Sequence, residues 1–279
     1  MKHCHFSILY NELPFLKQKL PFLYEYFDQI IFYDLNTFTD VYTFSTDGSH
    51  EFIKNYPDPE RKITFIERKN LHRVKPVGTS NMIKRKMFSL GSDFVKPEMD
   101  VFWCTDMDEF FNESLIKEVE TLFNRNQDIK GIDVDHFIFW KDLNTIMAST
   151  IKKLSTPFYT RIAKHEDGNK YGHCTLSNQF KPRLKTNSKI YHFAFVGEPR
   201  TSDKLFKYYS GTNPFYKSTW DADWKSTLSK GTLSGYPFMH PSTQRKMGIT
   251  LYPNDIEKDL PYINFDELAN DLNCEFSRD

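Results

Sequence analysis

Apolar residues in the first forty positions follow two rhythms. HFSILY (5–10) and QIIFYDL (29–35) are short, nearly continuous apolar runs, while LPFLKQKLPFLYEYF (13–27) between them repeats at helical spacing. That order predicts a βαβ unit, and hence a parallel sheet with a right-handed crossover. Pro14 suits a first helical turn, whereas Pro21 predicts a kink or a division of the helix. After the turn signal TDGS (46–49), KITFIER (62–68) reads as a third strand. SNMIKRKMFSLGSDF (80–94) has helical spacing with Ser80 as a cap, and it presents Lys84, Arg85 and Lys86. VFWCT (101–105) is a short apolar strand. NESLIKEVETLFNRN (112–126) is a helix capped by Asn112, with Leu115, Ile116, Val119, Leu122 and Phe123 on one stripe. GIDVDHFIFW (131–140) and KIYHFAFV (189–196) read as later strands.

Alternating strands and helices predict an α/β fold, with a mixed, mostly parallel sheet flanked by helices. The expected organisation is one domain over 1–245, with residues 246–279 as a tail packed on it. Beyond residue 200 the chain is aromatic and loop-rich, an irregular C-terminal extension with scattered short helices.

Composition narrows the functional classes. Lys plus Arg and Asp plus Glu both number 37, so net charge offers no attraction to nucleic acid or an anionic membrane. A nucleic-acid acceptor is disfavoured on that ground. No window approaches the roughly 18 apolar residues of a membrane span, and the start lacks a signal-peptide pattern. The expectation is a soluble cytoplasmic protein, in the host cytoplasm if the source is viral. Cys4, Cys104, Cys174 and Cys274 form no C-x-x-C pair, so any metal would sit on oxygen and imidazole. Aromatic residues make up 16% of the chain, which core packing accounts for as readily as ligand stacking.

The chemistry concentrates after VFWCT, where Asp106, Asp108 and Glu109 place three carboxylates within four positions. In open parallel sheets ligands bind outside the carboxyl ends of the strands, where this cluster falls. Two aspartates at i and i+2 can reach one divalent ion where a strand breaks into a turn. Mg2+ or Mn2+ on one or two carboxylates, completed by substrate phosphates, is the usual oxygen-ligand arrangement. D-x-D recurs at Asp133/Asp135 and Asp221/Asp223, so it is the strand before and the capped helix after that set this one apart. Glu109 is expected to support the turn from behind, and Phe110 and Phe111 to enter the core.

From HFSILYNELPF to DLNTFTD the chain resembles the opening of GT-A-fold (Rossmann-like) glycosyltransferases related to family 2. There a first strand ends in Asn-Glu, and a second ends in an acidic residue before an Asn-Ser/Thr turn. Asn11-Glu12, Asp34 and Asn36-Thr37 occupy those places, and VFWCTDMDEFF resembles the family's D-x-D motif. The resemblance covers about residues 5–245, most specifically the first sixty residues and the D-x-D. In IYHFAFVGEPR, Ala194 stands for the usual glycine, and Gly197-Glu198 stand where an arginine is frequent.

The resemblance implies transfer of a sugar from a nucleotide-diphosphate sugar, a UDP-sugar as first choice, to an acceptor hydroxyl on a glycan or similar molecule, with inversion. Asp106 and Asp108 would bind Mn2+ or Mg2+, with His192 as a further ligand and His240 of FMHPS as a weaker analogue. Tyr10, Asn11, Glu12, Asp34, Lys84, Arg85 and Asp106 would contact the nucleotide. Inversion needs a general base, for which Asp135 is first choice, with Asp133 and Glu198 as alternatives.

Two other classes compete. Haloacid-dehalogenase-type phosphatases also carry an apolar strand ending in D-x-D. They place Thr or Val where this chain has Phe110, and no βαβ unit precedes their motif. A non-catalytic sugar- or nucleotide-binding module would not need Asp106 and Asp108 intact.

Overall fold

Strands His3–Leu9 (β1) and Gln29–Asp34 (β2) are buried at every position, as strands covered on both faces must be. They pair in parallel from Cys4↔Gln29 to Leu9↔Asp34, joined by helix α1 (Leu13–Tyr26), so the βαβ opening forms as the sequence predicts. β2 continues in parallel to β3 (Ile63–Ile66) after helix α2 (Ser49–Asn55). On its other side, β1 pairs in parallel with β4 (Val101–Cys104). This computed structural model describes residues 1–34, 44–67, 91–149, 156–166, 180–197, 231–233, 247–252 and 255–278. The remaining strands are β5 (Glu109–Phe110), β6 (Gly131–Lys141), β7 (Thr145–Ser149), β8 (Thr156–Lys164), β9 (Arg183–Val196), β10 (Gly231–Leu233) and β11 (Met247–Leu251). The remaining helices are α3 (Glu113–Arg125), α4 (Ile256–Asp259) and α5 (Phe265–Leu272).

The chain divides into two compact units. The first comprises Met1–Asp108, Asn112–Val134 and Tyr159–Ser188; the second comprises Glu109–Phe111, Asp135–Phe158 and Lys189–Asp279. The expected tail, 246–279, falls in the second unit together with much earlier segments. In the first unit the strand order is β3-β2-β1-β4-β8-β6. Its β3-β2-β1-β4 part is parallel, and β8 adds antiparallel to β4 from Val101↔Lys164 to Trp103↔Ile162. This is the mixed α/β sheet expected, and parallel pairing dominates this unit. In the second unit the order β6-β7-β11-β10 is antiparallel at each register observed, and β5 pairs antiparallel with β9.

Helix α1 is neither divided nor ended at Pro21. Pro21 lies at an exposed position, where water can satisfy the backbone group left by its missing N–H. Asn112 caps α3 as expected: its side chain accepts from the Leu115 N–H, and Leu115, Ile116, Val119 and Phe123 are buried. The predicted helix over 80–94 falls largely outside the described residues, and Ser92–Phe94 at its end forms a 3-10 turn. Among the described residues no helix is long and apolar enough to cross a membrane.

The two cores differ in composition. In the first unit Cys4, Phe6, Ile8, Ile31, Tyr33, Phe102 and Cys104 pack as one cluster. In the second, rings do the filling: Phe110 and Phe139 lie 5.4 and 4.6 Å from Phe193, and Phe137 and Phe139 lie 5.3 and 5.5 Å from Tyr252. Phe110 and Phe111 are buried, as expected.

Gly91 has no room for a side chain. A Cβ there would fall 2.1 Å from the Phe6 ring, which is itself stacked on Phe102. Gly91→Ala should therefore destabilise the protein by about 1–3 kcal/mol through overpacking. A urea titration with an unchanged midpoint would contradict this account of the first core.

Candidate functional site

A parallel strand hands its last backbone groups to whatever follows it, and in the first unit polar side chains receive them. Asp34, the last residue of β2, is completely buried. Its Oδ1 accepts from the Ser45 N–H at 3.0 Å and the Ser45 hydroxyl at 2.7 Å, and its Oδ2 lies 2.8 Å from His50 Nδ1. His50 Nε2 faces Glu67 Oε1 at 3.0 Å, just beyond β3, and Lys54 holds the Glu67 carboxyl below its ordinary range. Burial raises the Asp34 carboxyl, and the hydrogen bonds from Ser45 and His50 pull it back.

The end of β1 meets the same loop. Asn11 adopts φ 52°, a left-handed conformation that asparagine tolerates. Its N–H donates to Ser45 Oγ at 2.9 Å, and its Oδ1 accepts from the Thr46 N–H at 2.8 Å. Glu12 N–H donates to Ser49 Oγ and Leu13 N–H to Asp47 Oδ2, so residues 45–49 satisfy the amino end of α1. Tyr10, Asn11 and Glu12 are half-buried beside these contacts.

β4 ends at Cys104, and a turn over Met107–Asp108 follows. Asp106 is half-buried and Asp108 only 1% exposed. The chain beneath them is held by buried polar groups. Ser7 donates to the Thr105 carbonyl at 2.8 Å; Lys19 Nζ donates to Thr105 Oγ1 at 3.0 Å and to the Asp106 carbonyl at 2.7 Å. His5 Nε2 lies 2.7 Å from Thr105 Oγ1. Asn11, Asp34 and Asp106 thus lie at or just past the carboxyl ends of three neighbouring parallel strands.

The other candidates are distributed as follows. In the first unit Asp133 accepts from Thr160 at 2.5 Å and from Arg183 at 3.1 Å. In the second unit Asp135 accepts from Lys189 at 3.3 Å. There too Glu109, fully buried, pairs with His192 in the β5–β9 register; its Oε1 lies 3.8 Å from His192 Nδ1 and 3.7 Å from His136 Nε2. Lys84, Arg85, Glu198 and His240 lie outside the described residues. Asp106 and Asp108 belong to the first unit and His192 to the second, and among the described residues no group of three or more His, Cys, Asp or Glu converges as a metal cage. The Asp106–Asp108 pair supplies hard oxygen donors of the kind Mg2+ and Mn2+ accept, with the remaining positions left to phosphate and water.

Ser45, His50, His5 and Lys19 were not singled out from the sequence. Lys19 did leave a signal: a charge at the centre of a helical stripe made by Phe15, Leu16, Leu20, Phe22 and Leu23. The other three owe their partners to the approach of distant segments.

No family profile matches this sequence, and no curated protein matches it. Solved structures to which the chain is similar include 4-diphosphocytidyl-2C-methyl-D-erythritolsynthase from Anaerococcus prevotii DSM 20548, at a TM-score of 0.30 and 9% identity over 58% of this chain and 71% of that one. Mannose-6-phosphate isomerase from Helicobacter pylori is similar at a TM-score of 0.30 and 11% identity, over 100% of this chain and 95% of that one. Likeness at this level carries no functional argument.

Two predictions follow the site chemistry. Asp34→Asn places an amide where the Ser45 and His50 donors converge, and should lower unfolding free energy by about 1–3 kcal/mol in urea; an unaltered value would mean the clamp is dispensable. Burial, and then the Lys19 ammonium, hold His5 neutral well below the ordinary imidazole value of 6.5. The unfolded imidazole takes up a proton near that value and the native one resists, so the stabilisation is complete above about pH 6.5 and declines as pH falls below it. His3, lowered mainly by burial, acts in the same direction. Urea midpoints should fall from pH 7 to pH 5.5, and His5→Gln should flatten that slope.

Proposed function

We propose that the chain is a metal-dependent glycosyltransferase of the GT-A type, moving a sugar from a nucleotide-diphosphate sugar to an acceptor hydroxyl with inversion. The observation that carries this reading is the placement of Asp106 and Asp108 in the turn after β4, at the carboxyl end of the parallel strands and next to the β1 and β2 ends. Ligands in open α/β sheets bind at that edge. The resemblance of NE…D…DMDEF to family-2-like transferases supports it from the sequence.

In this reading Asp106 and Asp108 would hold Mn2+ or Mg2+, and the ion would supply positive charge against a diphosphate leaving group. The Tyr10–Glu12 segment borders the nucleotide, a UDP-sugar as first choice. Asp34, whose oxygens are engaged by Ser45 and His50, sets the end of β2 beside the nucleotide. Asp135 is the first choice of base for the acceptor hydroxyl, with Asp133 and Glu198 as alternatives. The acceptor is a hydroxyl of a glycan or a similar molecule, and the site of action is the cytoplasm.

A thermal-shift panel of UDP-, GDP-, CDP- and dTDP-sugars with Mn2+ tests the proposal. A donor at 100 times its Kd adds about 2.7 kcal/mol to native stability. One nucleotide class should raise the Tm only with metal, and Asp106→Asn with Asp108→Asn should remove the shift. No shift from any donor, or a shift indifferent to the double substitution, rejects the reading. Hydrolysis of simple phosphomonoesters lost in Asp106→Asn would favour the phosphatase instead.

A further inference from the structure

The lysine at the centre of the α1 apolar stripe has no exposed surface at all. Bringing an ammonium into the interior costs several kcal/mol, and well-packed apolar replacements of buried charges are often neutral or stabilising. A lysine there needs a reason beyond filling space, and its hydrogen bonds supply one. They end on Thr105 Oγ1 and on the Asp106 carbonyl, both past the last residue of β4 and without a place in its ladder. Ser7 takes the preceding carbonyl, that of Thr105. Two successive carbonyls of the segment leading into Asp106 and Asp108 are therefore fixed from beneath by buried donors on α1 and β1.

We infer that Lys19, seconded by Ser7, is a positioning residue for the Asp106–Asp108 turn: it touches neither substrate nor metal, and it sets the backbone from which both carboxylates project. The inference rests on the metal-binding role proposed above for that pair. It differs in sign from a purely electrostatic role. A positive charge beside metal-binding carboxylates repels a cation, so by charge alone its deletion would tighten metal binding. Deleting a positional restraint loosens it. A structural role confined to folding would lower the melting temperature and leave the metal affinity of the folded protein unchanged.

The experiment titrates Mn2+ into the full chain, alone and with UDP, following loss of the aqueous Mn2+ EPR signal well below the melting temperature. Lys19→Met should weaken binding at least about tenfold, as expected for loss of a charged hydrogen bond. Ser7→Ala, a smaller deletion that keeps the lysine, should weaken it several-fold, and it decides the question if Lys19→Met does not fold. Affinity unchanged or tightened in the variants that fold overturns this inference alone, provided that wild type binds Mn2+ and Asp106→Asn abolishes that binding. A wild type that binds no Mn2+ in either arm overturns the metal role of the pair and this inference with it.

Discussion

Backbone groups just past the end of a strand have lost their ladder partners, and those that stay buried must find others. The first unit is built around that requirement. β1, β2 and β4 all end at one edge of the parallel sheet, and each end passes into buried polar side chains: Asn11 with Ser45, Asp34 with Ser45 and His50, Ser7 and Lys19 with the Thr105–Asp106 carbonyls. Each of these groups would cost about 1–3 kcal/mol if left buried and unpaired. The polar network is therefore a condition of folding, and the same network fixes the residues from which a ligand site at this edge would be made.

The second unit solves a different problem. Its antiparallel strands can be joined by short connections, as β6 and β7 are between Lys141 and Thr145. Rings fill the interior, and Tyr262 reaches the Phe111 carbonyl at 2.8 Å, so a residue late in the chain secures the backbone directly after β5. Helix α5 closes under Gly197, where φ is 79° and a Cβ would fall 2.4 Å from the Leu272 carbonyl oxygen, so no side chain fits. Among the described residues of this unit, the aromatic side chains that in the sequence could have meant ligand stacking pack on one another.

What could be read in advance followed burial. β1, β2 and β4 are covered on both faces, so their apolar runs announced them, and α3 carried a cap and a clean stripe. The first part of β9, RLKTNS, is half-buried or exposed except at Thr186 and includes residues with weak strand preference, so the apolar pattern marks only the later part of the strand. β7, β8, β10 and β11 have no counterpart among the strands expected from the sequence. At the site, Asp106, Asp34 and Asn11 were legible because strand ends are legible. The Ser45 and His50 partners were not, since a hydrogen bond across 11 or 16 residues leaves no local trace, and Lys19 showed only as a charge within an apolar stripe, its partner 87 residues away.

The Asp34–Ser45 contact also closes a loop. Residues 35–43 leave β2 at Asp34, and two residues beyond them the chain is pinned again by hydrogen bonds of 2.7 and 3.0 Å to the same carboxylate. The carboxylate thus serves two anchorages at once, the end of the strand and the return of the chain at Ser45, so one substitution would release both.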